Sequence, residues 1–342
     1  LVVDDEKRQA SPGGGERKIQ RVYRVQKVDG PWLWLAAESR GSSGWVQAEQ
    51  VVPIDQAIDY YTNEIRANLD SSTYATRGSI WLDKHEYDIA VGDFNEAIRL
   101  DLRNEAAFVG RGNAWRAKKE LDKALADYNE AIRLDPNYAL AYHNRGLAWS
   151  DKGELDKALA DYGAAIRLDP NDASAYYNRG NAWSDKGELD KALADFDEAI
   201  RLDPNYAWAY YNRGLARADK GELGKALADY GAAIRLDPND AAAYNSRAWL
   251  WATCSDAKYR DGRKALADAS LAYQLGGERD PNILDTLAAA CAASGDFDAA
   301  MKWQEKAMDL LAKGDEKSRK DYGSRLDLYR AKKPFRQEPA AR

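Results

Sequence analysis

The sequence predicts a mainly α-helical solenoid of antiparallel helix hairpins, preceded by a small β-rich segment. The pentapeptide Ala-Ile-Arg-Leu-Asp recurs at a spacing of 34 residues, starting at Ala97, Ala131, Ala165, Ala199 and Ala233. The residues before Pro53 have a different texture, with many valines and tryptophans, which favours strands. One 34-residue hairpin cannot bury its apolar faces alone, so the copies are predicted to stack.

The repeat from Asn137 to Pro170 illustrates one hairpin. Tyr142, Arg145 and Trp149 lie at helical spacing and predict a first helix. Gly153 can adopt the left-handed conformation that ends this helix. The second helix is predicted from the apolar set Leu155, Ala158, Leu159, Tyr162, Ala165 and Ile166. Pro170 follows and stops it.

This repeat resembles the tetratricopeptide repeat family, whose pattern places aromatic, glycine, alanine and proline residues at fixed positions. In one copy the matching residues are Tyr176, Gly180, Trp183, Ala192, Phe196, Ala199 and Pro204. Arginine consistently replaces the leucine that the family usually has before its glycine. The resemblance implies a right-handed α-solenoid that acts as a protein-interaction scaffold, without catalytic residues, cofactor or metal.

The repeat pattern also predicts the domain limits. Residues 54–68 are expected to form a capping helix, and residues 315–342 a C-terminal capping helix and tail. About seven repeats are predicted between them, at 69–102, 103–136, 137–170, 171–204, 205–238, 239–280 and 281–314. The sixth repeat carries extra residues around Thr253–Gly262, and we expect them in its turn.

The arginines before glycine stand where an apolar residue would pack. We expect each to pair with an aspartate on a neighbouring helix, the candidates being Asp127, Asp161, Asp195 and Asp229. The alternative is that the guanidinium reaches solvent over its apolar stem.

A second period of about 68 residues overlies the first. The residue after Arg-Gly alternates as Asn113, Leu147, Asn181 and Leu215. Recent duplication of a two-hairpin unit explains this alternation most simply. A ligand that itself repeats at that spacing is the alternative.

The N-terminal residues 1–53 contain the pattern Gly30-Pro-Trp32-Leu-Trp34, and then Gly44-Trp45. These motifs resemble the bacterial Src-homology-3-like domain, which implies a small β-barrel that binds cell-wall peptides or proteins. The alternative is that the three tryptophans are simply core. Because the barrel's first strand would come from Leu1–Val3, a truncated barrel is also considered.

The barrel resemblance favours an exported or periplasmic protein over a cytoplasmic one. The chain begins with Leu1 rather than Met, which predicts that an N-terminal segment is missing. A second functional hypothesis follows, a cell-envelope attachment module in which the barrel binds a wall peptide or a membrane-associated partner.

The ligand of the repeats is predicted to be a peptide or protein segment bound in the concave groove lined by the first helices. The candidate residues flank the Arg-Gly pairs and are Asn113, His143, Asn144, Tyr177, Asn178, Asn181, Trp208, Tyr211 and Asn212. Asparagine can hydrogen-bond an extended backbone, and Tyr and Trp add apolar area with a polar group. The alternative for the asparagines is repeat packing.

Composition excludes several other functions. The net charge of −6, with both signs interspersed, lacks the basic surface that nucleic acid requires. Two cysteines and two histidines give no disulfide framework or zinc pattern, and no apolar run can span a membrane. The groove positions lack the lysines of a carboxylate clamp, which argues against binding of acidic chaperone tails. A monomer or weak self-association is expected.

Overall fold

The computed structural model describes the strands within residues 2–52 and then residues 54–277 and 279–337. Side chains are described from residue 56 onward. Among the described residues no helix is long and apolar enough to cross a membrane. By their contacts the residues divide into two compact units, Leu1–Asp169 and Pro170–Arg342.

The N-terminal strands form one antiparallel sheet. They are β1 (Val2–Val3), β2 (Arg21–Asp29), β3 (Trp32–Ala37), β4 (Gly44–Gln47) and β5 (Val51–Val52), in the order β4-β3-β2-β1-β5. The pairing of β2 with β3 shifts register between Val25 and Lys27. Assignment of this segment to the Src-homology-3-like family is not confirmed and stays a prediction. The predicted roles of Trp32, Trp34 and Trp45 lie outside the described side chains.

Consecutive helices follow the sheet. In the first unit they are α1 (Ile54–Ala67), α2 (Ser71–Asp83), α3 (Tyr87–Leu100), α4 (Glu105–Ala117), α5 (Leu121–Leu134), α6 (Ala139–Asp151) and α7 (Leu155–Leu168). Hairpins are formed by α2 with α3, α4 with α5, and α6 with α7. Each second helix also packs on the first helix of the next hairpin, so that α2, α4 and α6 lie in one layer.

The second unit continues the pattern. Its helices are α8 (Ala173–Asp185), α9 (Leu189–Leu202), α10 (Ala207–Asp219), α11 (Leu223–Leu236), α12 (Ala241–Thr253), α13 (Gly262–Gly276), α14 (Pro281–Ala293), α15 (Phe297–Asp309) and α16 (Glu316–Arg330). A short 3-10 turn, Ala257–Tyr259, lies in the predicted insertion between α12 and α13. These hairpins confirm the helical-repeat prediction.

Small residues set the close spacing of the two helices in a hairpin. Ala158 and Ala165 of α7 are buried, and Tyr162 between them is 1% exposed. The Tyr162 ring packs against Gly146 of α6, where an added Cβ would lie 2.7 Å from Tyr162 Cε1. Glycine at this position is therefore required by a close approach to an aromatic ring.

The paired arginines and aspartates are confirmed, and they link the two helices of one hairpin. Arg145 donates from Nε to Asp161 Oδ2 at 2.7 Å and from Nη2 to Asp161 Oδ1 at 2.6 Å. The Arg145 guanidinium also lies 5.5 Å from the centre of the Tyr142 ring. The same arrangement recurs in Arg77–Asp93, Arg111–Asp127, Arg179–Asp195, Arg213–Asp229 and Arg247–Asp268.

The turns within the hairpins also follow the prediction. Gly153, Gly187 and Gly221 have φ of 76°, 75° and 76° after the first helices of their hairpins. In the two earlier hairpins the same positions hold His85 and Lys119, with φ of 63° and 64°. A side chain with a Cβ is strained in this left-handed region by about 1–2 kcal/mol.

Replacing Lys119 by glycine should raise the free energy of unfolding by about 0.5–1 kcal/mol, because the gain from relieved strain exceeds the added entropy of the unfolded chain. Urea denaturation followed by circular dichroism measures this change. The matched control is Ala126→Gly at an exposed site inside α5, which should lower stability by about 1 kcal/mol. A loss of stability in both variants would contradict the strain argument.

Candidate peptide-binding surface

The candidate site is the solvent-facing side of the first helices of the hairpins, here called the first-helix surface. In the first unit it is carried by α2, α4 and α6, and in the second by α8, α10, α12 and α14. Side chains reach it because one face of each first helix packs on the second helices and the opposite face remains uncovered. The two units are described separately.

In the first unit the predicted asparagines bind each other. Asn144 Nδ2 donates to Asn113 Oδ1 at 3.0 Å, from α6 to α4. The Tyr128 hydroxyl donates to the same oxygen at 2.8 Å. This network joins two hairpins, so the Asn113 oxygen and the Asn144 amide already serve repeat packing. The Asn144 side chain is nearly covered, with the residue 8% exposed.

His143 is less accessible than the sequence analysis expected. The residue is 7% exposed, and its ring meets Tyr162 edge-to-face with the ring centres 5.9 Å apart. Its place next to the buried aromatic residue of the hairpin explains the burial. A role for His143 in direct ligand contact stays a prediction.

The second unit repeats the amide network one super-repeat later. Asn212 Nδ2 donates to Asn181 Oδ1 at 2.8 Å and to the Tyr177 hydroxyl at 2.9 Å. The Tyr177 ring lies 4.9 Å from the ring of Tyr206. Tyr177, Asn181 and Asn212 are therefore brought together, each half-buried, with Asn178 half-buried on the same helix.

The most exposed predicted residue is Trp208, at 54%. Its ring meets Tyr211 edge-to-face at 6.4 Å, and the Tyr211 hydroxyl lies 3.3 Å from Ser246 Oγ. Leu215, one turn further along α10, is 37% exposed. Trp208, Tyr211 and Leu215 thus form an apolar stripe at spacings of three and four residues, on one side of α10.

Leu140 and Leu215 were missed as candidates. Both are exposed, at 48% and 37%, and both occupy first-helix positions of the 68-residue period. The alternation of Leu215 with Asn181 was visible in the sequence as a signal for this surface.

Charges on the surface are partly paired. Arg116 of α4 donates to Asp151 of α6 at 2.7 Å. Burial raises the pKa of Asp219, which ends α10. An acidic carboxylate beside the apolar stripe favours a cationic group on a ligand. Within the described chain no group of three or more His, Cys, Asp or Glu side chains is placed to hold a metal.

Comparison with known families identifies the repeats. Residues 112–149, 150–184 and 184–221 match the family model described as TPR repeat, and residues 207–240 match the model described as Tetratricopeptide repeat. The chain therefore contains tetratricopeptide repeats. No curated protein sequence matches it.

Solved structures share the fold. The complex titled APC/C hetero-tetramer Cut9-Hcn1 aligns with TM-score 0.61 and 14% identity over 80% of this chain and 52% of that chain. A structure titled functional characterization of Pseudomonas aeruginosa pilF gives 0.56 and 19% over 64% and 96%. A tetratricopeptide repeat protein from Parabacteroides merdae gives 0.54 and 20% over 76% and 98%. At these identities the likeness establishes the fold.

Proposed function

We propose that this protein is an interaction scaffold that binds an extended peptide, or a segment of another protein, on its first-helix surface. Tetratricopeptide repeats act as protein-interaction scaffolds. The observation that carries the proposal for this chain is the exposed stripe of Trp208, Tyr211 and Leu215 on α10. A tryptophan that leaves half its surface in water is a typical anchor for a partner.

The amide networks support a positioning role for the asparagines. Asn212 holds the Tyr177 hydroxyl through its amide, and Asn144 joins α6 to α4. These bonds fix the spacing of neighbouring first helices, and a ligand would meet the remaining amide donors and acceptors. The absence of enzymatic activity stays a prediction. Among the described residues, no finding supports the envelope-attachment alternative.

A test begins with peptides selected from a random display library on the wild-type protein. Binding should weaken about thirtyfold or more in the double variant Trp208→Ala, Leu215→Ala, because truncating one central aromatic anchor costs about 2 kcal/mol. The matched control is Leu271→Ala, Leu275→Ala on the second helix α13, where both leucines are 40% exposed.

The control variant should bind the selected peptides as the wild type does. Equal binding by the α10 variant and the wild type would refute the proposed surface. Stronger weakening in the α13 variant would move the site to the second helices. Thermal melts of all three proteins establish that each is folded.

A further inference from the structure

The chain folds back on itself after the last helix. Lys332 has φ of 53°, and the turn is closed by Lys332 N donating to Tyr329 O and Lys333 N to Leu328 O, both at 2.9 Å. This turn sends residues 333–337, here called the tail segment, back toward the last repeats. The tail segment has no helix or strand of its own.

An aromatic residue anchors the tail segment between two elements. The Phe335 ring lies 5.9 Å from the ring of Trp249 on α12. The Arg325 guanidinium of α16 lies 5.0 Å from the centre of the Phe335 ring and 5.1 Å from that of Trp249. Cation–π and aromatic contacts of this kind contribute about 0.5–1.5 kcal/mol each.

Two hydrogen bonds anchor the residues that follow. Arg336 Nη1 donates to Ala252 O, and the Gln337 backbone N donates to Thr253 O, both at 2.8 Å. Both carbonyls belong to the last turn of α12, where helix carbonyls lack an intrahelical partner and carry partial negative charge. The end of α12 therefore suits an extended segment that brings a cation.

The tail segment lies on the first-helix surface. Trp249 occupies the position on α12 that Leu215 occupies on α10, 34 residues earlier. Leu215 is 37% exposed, whereas the corresponding Ala289 of α14 is 3% exposed and Ala292 is 2% exposed. Phe335 packs against the cluster that contains both alanines. Small side chains on α14 thus leave a trough that an aromatic ring fills.

We propose that Trp249, the alanines of α14 and Arg325 form a peptide-binding section that the tail segment occupies as an internal ligand. A partner segment with an aromatic residue followed by arginine binds there when the tail segment leaves. This inference rests on the proposed function and adds the chemistry of one ligand class and its intramolecular competitor. The aromatic ring fills the trough, and the guanidinium takes the α12 carbonyls.

The probe is a fluorescent peptide with the sequence of residues 331–342, titrated by anisotropy into two full-length proteins. Wild type should bind it weakly, because its own tail competes. The variant Phe335→Ala, Arg336→Ala should bind it at least about tenfold more tightly, since the section is then unoccupied. Lys333→Ala changes an exposed tail side chain and should behave as the wild type does.

Adding Trp249→Ala to the tail variant should abolish binding of the probe, as should the same two alanine substitutions in the peptide. Equal affinity of the wild type and the tail variant, or no binding by either at millimolar peptide, would overturn the proposal. So would probe binding that ignores Trp249→Ala. The α10 variant Trp208→Ala, Leu215→Ala leaves this section intact, so its failure concerns the proposed function alone. A chain that ends at Lys332 repeats the measurement without any tail.

Discussion

Replacing Asp161 by alanine should lower the free energy of unfolding of its hairpin by about 3 kcal/mol. Asp161 is 6% exposed and accepts two bonds from Arg145. Removing the carboxylate leaves a guanidinium that is 21% exposed without its counter-charge. The hydrogen bonds from Asp161 raise the pKa of Arg145, so the cation stays charged and must be solvated. That residual exposure keeps the loss toward the lower end of the range for buried pairs.

The loss should spread to the preceding hairpin. Arg145 also donates from Nη1 to Asn129 of α5 at 2.7 Å, so one guanidinium serves both the pair within its hairpin and the contact between hairpins. In a repeat array stability is a sum of repeat and interface terms. Hydrogen exchange measured by mass spectrometry should therefore show faster exchange in α6 and α7, and a smaller increase in α5.

The matched control is Asp122→Ala. Asp122 pairs with Lys152 at 2.5 Å, but its side chain is 88% exposed. Exposed ion pairs contribute about 0–1 kcal/mol, so this variant should melt close to the wild type. Equal melting temperatures for Asp161→Ala and the wild type would show that the guanidinium is solvated without its partner.

The periodic features of the fold could be predicted because the sequence states them repeatedly. Every copy of the arginine has an aspartate 16 residues later, and the step becomes 21 between Arg247 and Asp268 because of the five extra residues. Copying makes such pairs visible without coordinates. The strained turn at Lys119 could also be predicted, since later copies place glycine there.

The partners of the candidate site residues were harder to predict. Asn144 and Asn113 both looked free to meet a ligand, yet one donates to the other across hairpins. Spacing within a repeat does not show which side chains of neighbouring repeats meet. His143 differs from its copies Tyr177 and Tyr211, and its burial depends on how the Tyr162 ring packs.

The C-terminal contacts could not be predicted from the period at all. Phe335 lies outside the repeats, and its contact with Trp249 spans a long separation in sequence. The last hairpin also replaces the usual pairs. Gln304 stands where other hairpins have a buried aromatic residue, and it is fully buried. That substitution was a readable signal for a polar network in the C-terminal cap.

This network predicts the second large effect. Asp285 of α14 accepts from Gln304 Nε2 and from Arg325 Nη1, both at 2.8 Å. Burial raises the pKa of Asp285 to about 6, although the Arg325 charge and the Gln304 bond lower it. The folded protein therefore holds a proton on Asp285 in a pH range where the unfolded chain, with an ordinary pKa of 3.8, has released it.

The sign follows from this excess of bound protons in the folded state. Stability from this group is greatest below pH 3.8, falls as pH rises to about 6, and is flat above that. A difference of about two pKa units corresponds to about 3 kcal/mol. Asparagine keeps the shape of the side chain but does not titrate, so Asp285→Asn should remove this part of the pH dependence.

Urea denaturation of the wild type and Asp285→Asn between pH 4 and pH 7 tests the prediction. The wild type should gain about 3 kcal/mol relative to the variant as pH falls through this range. Asp321→Asn, an exposed site on α16, is the matched control and should follow the wild type. Parallel curves for the wild type and Asp285→Asn would mean that Arg325 keeps Asp285 ionised throughout. The cap would then be held by a permanent buried ion pair rather than by a carboxyl group that takes up a proton.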